Sequence, residues 1–381
     1  MSRKRVVFFT ESIAVASGGT ALEVVTIASA LAQNTDHEVT LLTCADDGPH
    51  LPVGEGVQLM HLGRKRLGPG WWRDVAWMRE ILGRTDVLFV TGIWGPFDGL
   101  GLRLALPREI IYYVRICGML QPYILNRNPW KKAPARLLYV YHNLNRADGL
   151  IVNSDPEKDQ VASLGFRAPI HLIRNGVTPP REAPNRREAR SSLGLGMEDR
   201  VMLYLGRIHP KKGLQKLLPA LQTFAVRYPH QRSPKLLVAG GFFDEAFETE
   251  IRKQIALLPE PGVVTLLGEV AGEGKEVLFA AADVFILPSE SEGLPNAALE
   301  SMVRSLPVIL TPGCNLPEVA DEGAGLVVEP DANGLALALA WTLGPEAELR
   351  SSGHAAFLLA AARFGMDRVV DDYDKLIVHK R

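Results

Sequence analysis

Two carboxylates eight positions apart, Glu292 and Glu300, bracket the stretch Gly293-Leu294-Pro295-Asn296. An apolar run, Val284-Phe285-Ile286-Leu287, precedes them and reads as a buried strand ended by Pro288 and Ser289. Pro295 suits the first residue of a helix, where its missing N–H costs nothing. The spacing predicts a strand, a short loop carrying Glu292, and a helix carrying Glu300. Free N–H groups at a helix start attract anions and hydroxyls. Carboxylates accept paired hydrogen bonds from vicinal hydroxyls. A polyhydroxylated ligand fits this set. The plain alternative is a surface loop with ordinary helix-start acids.

A second set supplies the opposite charge. Gly206-Arg207 and Lys212-Gly213 follow the apolar run Val201-Met202-Leu203-Tyr204-Leu205 and precede a helical stretch, 214–227. A guanidinium fork and an ammonium five residues apart suit a diphosphate, and the helix start adds partial positive charge. Lys211 and Lys212 would otherwise be plain surface lysines, and His209 reads as a local packing residue. Combined with the spaced acids, these residues point to a nucleotide-diphosphate sugar. Arg207, Lys212 and Glu292 are the candidate catalytic residues, the two cations neutralising charge on a leaving diphosphate. Glu300 would hold ribose hydroxyls. Glu292, with the N–H groups of Gly293 and Leu294 ahead of Pro295, would hold the sugar. Base contacts are expected from the loop Gly268-Glu269-Val270.

The elements that must position these residues alternate along the whole chain. In the first half, Val6-Val7-Phe8-Phe9, Glu38-Val39-Thr40-Leu41-Leu42-Thr43, Val57-Gln58-Leu59-Met60, Val87-Leu88-Phe89-Val90 and Ile110-Ile111-Tyr112-Tyr113-Val114 read as strands separated by helical stretches. Gly18-Gly19 falls at the first strand-to-helix turn, where bare backbone can approach a phosphate. It is not a G-x-G-x-x-G pattern, so a nicotinamide cofactor is not expected. The stretch 178–187 has three prolines and many charges and reads as a linker, after which the pattern restarts. The fold class expected is α/β, with two doubly wound Rossmann-like domains facing across a cleft. The expected divisions are a first domain over 1–178, a second over 179–362 and a helical tail over 363–381.

Composition narrows the partners. With 381 residues, 47% of them hydrophobic, the chain can bury two cores. A net charge of −1 gives no reason to expect nucleic acid. Charge is uneven, however, with 13 basic against 5 acidic residues over 60–136. Arg64, Lys65, Arg66 and Arg73 flank Trp71 and Trp72, while Arg127, Lys131, Lys132 and Arg136 surround Trp130. Basic residues beside tryptophans suit an anionic membrane surface or an extended anionic acceptor. Solvated loops with inward tryptophans would look the same. Cys44, Cys117 and Cys314 offer no disulfide framework. The N-terminal residues are too short a match for a signal peptide, and no apolar run reaches the ~20 residues of a membrane helix. A cytoplasmic protein, at most peripheral at the inner membrane face, is expected.

Several pieces together resemble glycosyltransferase family 4, which has the GT-B fold. They are Ser17-Gly18-Gly19, Cys117-Gly118-Met119-Leu120, Asn175-Gly176-Val177, Leu205-Gly206-Arg207-Ile208-His209-Pro210-Lys211-Lys212-Gly213, the spaced Glu292 and Glu300, and a tail containing Ala362-Arg363-Phe364 and Tyr373. The resemblance implies transfer from a nucleotide-sugar with retention at the anomeric carbon, no cofactor and no metal, while the two basic-aromatic stretches suggest a polysaccharide or lipid-linked glycan as acceptor. The resemblance also implies that 1–178 is the acceptor-side domain and 179–362 the nucleotide-sugar domain, that the tail helix 363–381 crosses back to the first domain and that Gly18 and Gly19 approach the donor, and it places Trp94, Arg115 and Cys117 on the acceptor side. Two positions depart from the family pattern: Thr91 and Cys117 stand where histidines are common. A thiol cannot replace imidazole as a hydrogen-bonding group. Two further readings stay open, a sugar-nucleotide epimerase on the same fold and a non-catalytic member that binds the donor only. Asp372-Tyr373-Asp374 has a metal-binding form, but its place in the tail, far from any glycine loop, argues against that role.

Overall fold

The computed structural model describes all residues except 1–2, 46–47, 65–66, 69, 127–128, 181 and 379–381, and, of residues 16, 123, 126, 129 and 131, only the backbone. The chain forms two units. The first comprises Met1–Gly176 with Met366–Arg381, the second Val177–Gly365.

The first unit is built on seven strands: β1 Arg5–Thr10, β2 Glu38–Ala45, β3 Val57–Arg64, β4 Val87–Thr91, β5 Ile111–Arg115, β6 Gly149–Val152 and β7 Ile170–Leu172. Their order is β3-β2-β1-β4-β5-β6-β7, every pair parallel. Helices cover both faces, which is why the central strands are almost continuously apolar. Strand alternation is still visible in the packing. Val7 and Phe9 join a core with Trp71, Met78, Phe97 and Leu144, whereas Val6 and Phe8 join one with Val24, Leu31, Val369 and Tyr373. That second face receives the helix Met366–Val378, which buries Val369, Val370, Tyr373 and Ile377, a helical stripe at spacings of three and four. Tyr373 meets Phe89 edge-on at 4.8 Å, within a row of stacked rings, Phe8, Phe89 and Tyr113.

The second unit has six strands: β8 Val201–Leu205, β9 Lys235–Ala239, β10 Val264–Gly268, β11 Val284–Leu287, β12 Val308–Leu310 and β13 Gly325–Val327. Their order is β10-β9-β8-β11-β12-β13, again all parallel. The tail expected as one helix over 363–381 straddles two helices. Glu346–Phe364 buries Leu349, Ala356 and Phe364 and belongs to the second unit. Gly365 then separates it from Met366–Val378, which belongs to the first. No helix among the described residues is long and apolar enough to cross a membrane.

Candidate active site

In each sheet the strand order reverses once, between β1 and β4 in the first and between β8 and β11 in the second. At such a reversal the loops leaving adjacent strands diverge and open a crevice at the carboxyl edge, where ligands of open α/β sheets bind. Arg207, Lys212 and Glu292 follow β8 and β11, and Gly18 and Trp94 follow β1 and β4, whereas Val270 follows the edge strand β10 and Cys117 follows β5.

In the second unit three loops interlock after β8, β11 and β12. Gly213 has φ 78°, and a β-carbon there would lie 1.9 Å from the Pro288 carbonyl oxygen, so the two loops touch backbone to backbone. The Lys211 carbonyl accepts from the Glu290 N–H at 2.8 Å and from the Ser289 hydroxyl at 3.0 Å. A β-carbon on Gly313 would lie 2.4 Å from the Glu290 carbonyl carbon, and the Glu292 N–H donates to the Gly313 carbonyl at 2.7 Å. Asn315 Nδ2 donates to the Glu292 carbonyl at 2.5 Å. The backbone of Glu292 is therefore fixed on both sides before its side chain does anything.

That side chain is buried. Lys212 Nζ lies 2.9 Å from Glu292 Oε1, and the Ser289 hydroxyl donates to the same oxygen at 2.6 Å. Burial pushes the carboxyl up, but Lys212, Lys211 and the Ser289 hydroxyl together outweigh it and hold it below the ordinary carboxylate range. Lys211 moves down, chiefly through burial, with Lys212 and Arg207 adding repulsion against the pull of Glu292. Arg207, in contrast, is exposed and makes no ion pair among the described residues. His209 caps the turn Pro210–Lys212, its Nδ1 accepting from the Lys211 N–H at 3.0 Å, and its ring meets Phe243 edge-on at 4.3 Å.

Pro295 sits one position ahead of its expected place, as the cap of the helix Asn296–Met302. Leu294 and Pro295 are buried and Gly293 half-buried. Glu300 is inside that helix, and its Oε2 receives Lys275 Nζ at 2.5 Å from the helix Glu273–Ala281. Val270 is half-buried beside Gly274, where a β-carbon would meet it at 2.7 Å. Sequence reasoning did not single out Ser289, Asn315 or Lys275, because each acts through a partner that only the folded chain brings to it.

In the first unit the registers Thr10↔Thr91 and Thr91↔Arg115 bring three strand ends to one level. Gly18 follows the first, Trp94 the second and Cys117 the third. Gly18 is exposed with φ 72°, a β-carbon there would meet nothing within 4 Å, and Gly19 opens the helix Gly19–Asn34. Thr91 is buried. Trp94 Nε1 donates to the Met119 carbonyl at 3.2 Å, and Lys132 lies over its ring. Arg115 does not reach the surface. It is 2% exposed, pairs with Glu23, and donates to Tyr373 Oη and Asn175 Oδ1, both at 2.9 Å. Burial opposes its charge, yet the Glu23 carboxylate wins and holds it protonated. Cys117, at φ 48°, also turns toward Glu23, although β5 ends at Arg115. Burial first, then Glu23, pushes its thiol up. Asp372 and Asp374 are engaged separately, by Lys375 and by His37.

The expected basic-aromatic stretches divide between core and surface. Trp71 is buried against Phe97, whereas Trp72 is 71% exposed. Trp130, Leu137 and Leu138 are also exposed, with Arg136 beside Leu137 in the chain. Lys65, Arg66 and Arg127 lie outside the described residues.

Two parallel, doubly wound sheets, each with a polar loop cluster at its reversal, define a two-domain α/β protein. Family models match the two halves in tandem: "Glycosyltransferase Family 4" over residues 17–181 and "Glycosyl transferases group 1" over 185–353. The chain belongs to the GT-B glycosyltransferases of family 4. It is 35% identical over 190 residues to a D-inositol 3-phosphate glycosyltransferase of Saccharomonospora viridis, a match covering 48% of this chain and 44% of that protein. The same enzyme of Mycobacterium bovis is 33% identical over 196 residues, 50% of this chain and 39% of that one. The matched stretch thus spans less than half the length of these relatives. Among solved structures, Anabaena HepE in complex with UDP and glucose superposes with a TM-score of 0.78 at 18% identity, covering 99% of this chain and 100% of that one. Sucrose-phosphate synthase of Thermosynechococcus elongatus gives 0.75 at 22% identity, covering 98% of each.

Proposed function

We propose that this chain transfers a sugar from a nucleotide-diphosphate sugar to a polysaccharide or lipid-linked glycan, retaining the anomeric configuration. The observation that carries the reading is the loop pair 206–213 and 288–296, whose Lys212 and Glu292 are already in contact beside an exposed Arg207. Arg207 and Lys212 would receive the diphosphate and stabilise it as it leaves, which supplies by side chains the charge a metal would otherwise supply. Glu292, ionised and fixed at its backbone, would accept sugar hydroxyls. Glu300 would accept from the ribose. In the first unit, Gly18 would allow donor backbone contact, and Trp94 and Cys117 would border the acceptor. A leaving phosphate oxygen can take the acceptor proton itself, so retention does not need an imidazole at position 117. The solved relative holding UDP and glucose supports a nucleotide-sugar donor.

The test is incubation with UDP-, GDP- and ADP-sugars and glycan acceptors, with nucleoside diphosphate release measured and the product anomer read by NMR. Product with the donor's anomeric configuration supports the reading. An inverted product rejects retention. The thiol at Cys117 in place of imidazole favours a second reading, a donor-binding member without turnover. Donor isomerised in the absence of acceptor would instead identify an epimerase.

The exposed Trp72, Trp130, Leu137 and Leu138, with Arg136, support docking on an anionic membrane surface on the cytoplasmic side. Flotation with anionic liposomes tests this. Equal recovery in the soluble fraction with and without liposomes removes the membrane from the proposal.

A further inference from the structure

We propose that Lys275 is the positioning residue for the nucleoside end of the donor, pinning one oxygen of Glu300 so that the other faces the ribose. This rests on the donor-site reading above. Lys275 Nζ donates to Glu300 Oε2 at 2.5 Å, with both side chains about one-fifth exposed (23% and 18%). No partner of Glu300 Oε1 is found among the described residues. One oxygen is committed and one is available.

The pair is not needed to hold its two helices together. The next residue, Glu276, already takes Arg304 in a two-pronged ion pair, at 2.8 Å to Nε and 2.6 Å to Nη2. Arg304 also lies 4.5 Å over the Phe279 ring and donates to the Glu300 carbonyl at 2.7 Å. This clamp fixes the helix backbone at Glu300, leaving its side-chain torsions as the remaining freedom. A carboxylate on three rotatable bonds has several orientations, and ordering it at the moment of binding weakens affinity. Lys275 removes that freedom in advance. The remaining carboxylate oxygen offers only acceptor lone pairs, which selects a ligand that donates hydroxyl protons.

Such a site rejects an analogue lacking the hydroxyl, because the acceptor is then left unmatched. The experiment compares wild type, Lys275→Met, Lys275→Arg and Glu300→Gln. Calorimetry measures the tightest binder among UDP, GDP and ADP, and its 2′-deoxy and 3′-deoxy forms. Wild type is expected to prefer the ribonucleotide over at least one deoxy form. Lys275→Met is expected to bind the ribonucleotide about tenfold more weakly while the deoxy form changes little, so the preference collapses. Glu300→Gln should lose the same preference, and Lys275→Arg should restore most of it. Equal weakening of all three nucleotides would overturn the proposal in favour of a general charge effect. A lowered melting temperature with unchanged affinities would overturn it in favour of a helix crosslink. In both cases the donor site itself stands. If wild type binds none of the nucleotides, the donor-site reading falls, and the proposal with it.

Discussion

Lys212 Nζ stands 2.9 Å from Glu292 Oε1, so the cation expected for a diphosphate and the carboxylate expected for a sugar are each other's partners. The contact links loops from two adjacent strands at the sheet reversal. Lys212 helps hold the buried Glu292 carboxyl below its ordinary range. A donor that engages both must exchange this contact for its own.

Removing Lys212 takes the 2.9 Å ion partner from the buried Glu292 carboxylate, with the Ser289 hydroxyl still donating to it. Lys212→Met should cost about 2 kcal/mol in chemical denaturation and weaken nucleoside diphosphate binding. The double variant Lys212→Met/Glu292→Gln should recover most of the stability, because the buried charge is gone, but none of the affinity. Affinity recovered with stability would remove Lys212 from the diphosphate site.

Two glycines with the same backbone sign should behave differently. Gly213→Ala adds a left-handed residue and a carbon 1.9 Å from the Pro288 oxygen. We expect a loss of about 2–4 kcal/mol, since the loop contact must open. Gly18→Ala meets nothing within 4 Å, so only its glycine-type backbone (φ 72°, ψ −149°) opposes it, at about 1–2 kcal/mol. Similar melting temperatures for the two variants would contradict the loop contact.

Glu292 also predicts a pH dependence. Its folded value lies below the ordinary carboxylate value, so the unfolded chain binds more protons in that window. Its contribution is present above about pH 4.3, the unfolded value, and is lost as pH falls through the lowered folded value. Urea midpoints measured downward from pH 6 should fall less steeply for Glu292→Gln than for wild type. Parallel curves would show that Glu292 is not held ionised.

The three free thiols should be inert in the native protein. Cys44 and Cys314 are buried, with Cys314 pushed up to about 11 by burial and Glu292. Cys117 is partly open but kept as a thiol by burial and Glu23. A disulfide reagent at pH 7 should titrate none of them quickly, and all three after denaturation. Rapid labelling of Cys117 would place its thiolate at the surface.

Strands were legible wherever the chain is apolar on consecutive positions, because parallel strands covered on both faces admit little else. Val284–Leu287 and Val201–Leu205 are such cases. The helix start after Glu292 was legible to within one residue, Pro295 acting as cap. The tryptophan pair was not, since Trp71 and Trp72 differ in burial and only the packing against Phe97 decides which is inside. Arg115 reads as a candidate acceptor-side cation. Glu23, Asn175 and Tyr373, 92, 60 and 258 positions away, convert it into a buried strut.

The sequence by itself determined which chemistry the chain can carry: Arg207 and Lys212 at a glycine turn, Glu292 and Glu300 around a helix start, and a β-α alternation that places both at strand ends. Those features are local, and local spacing sets which loop a side chain enters. Only the tertiary structure decided which charges meet. Lys212 finds Glu292, Lys275 finds Glu300, and Arg115 finds Glu23. Each pairing joins loops, helices or a strand end brought together by parallel crossovers, and the energy of a charge depends on the partner and burial it meets there rather than on its neighbours in the chain.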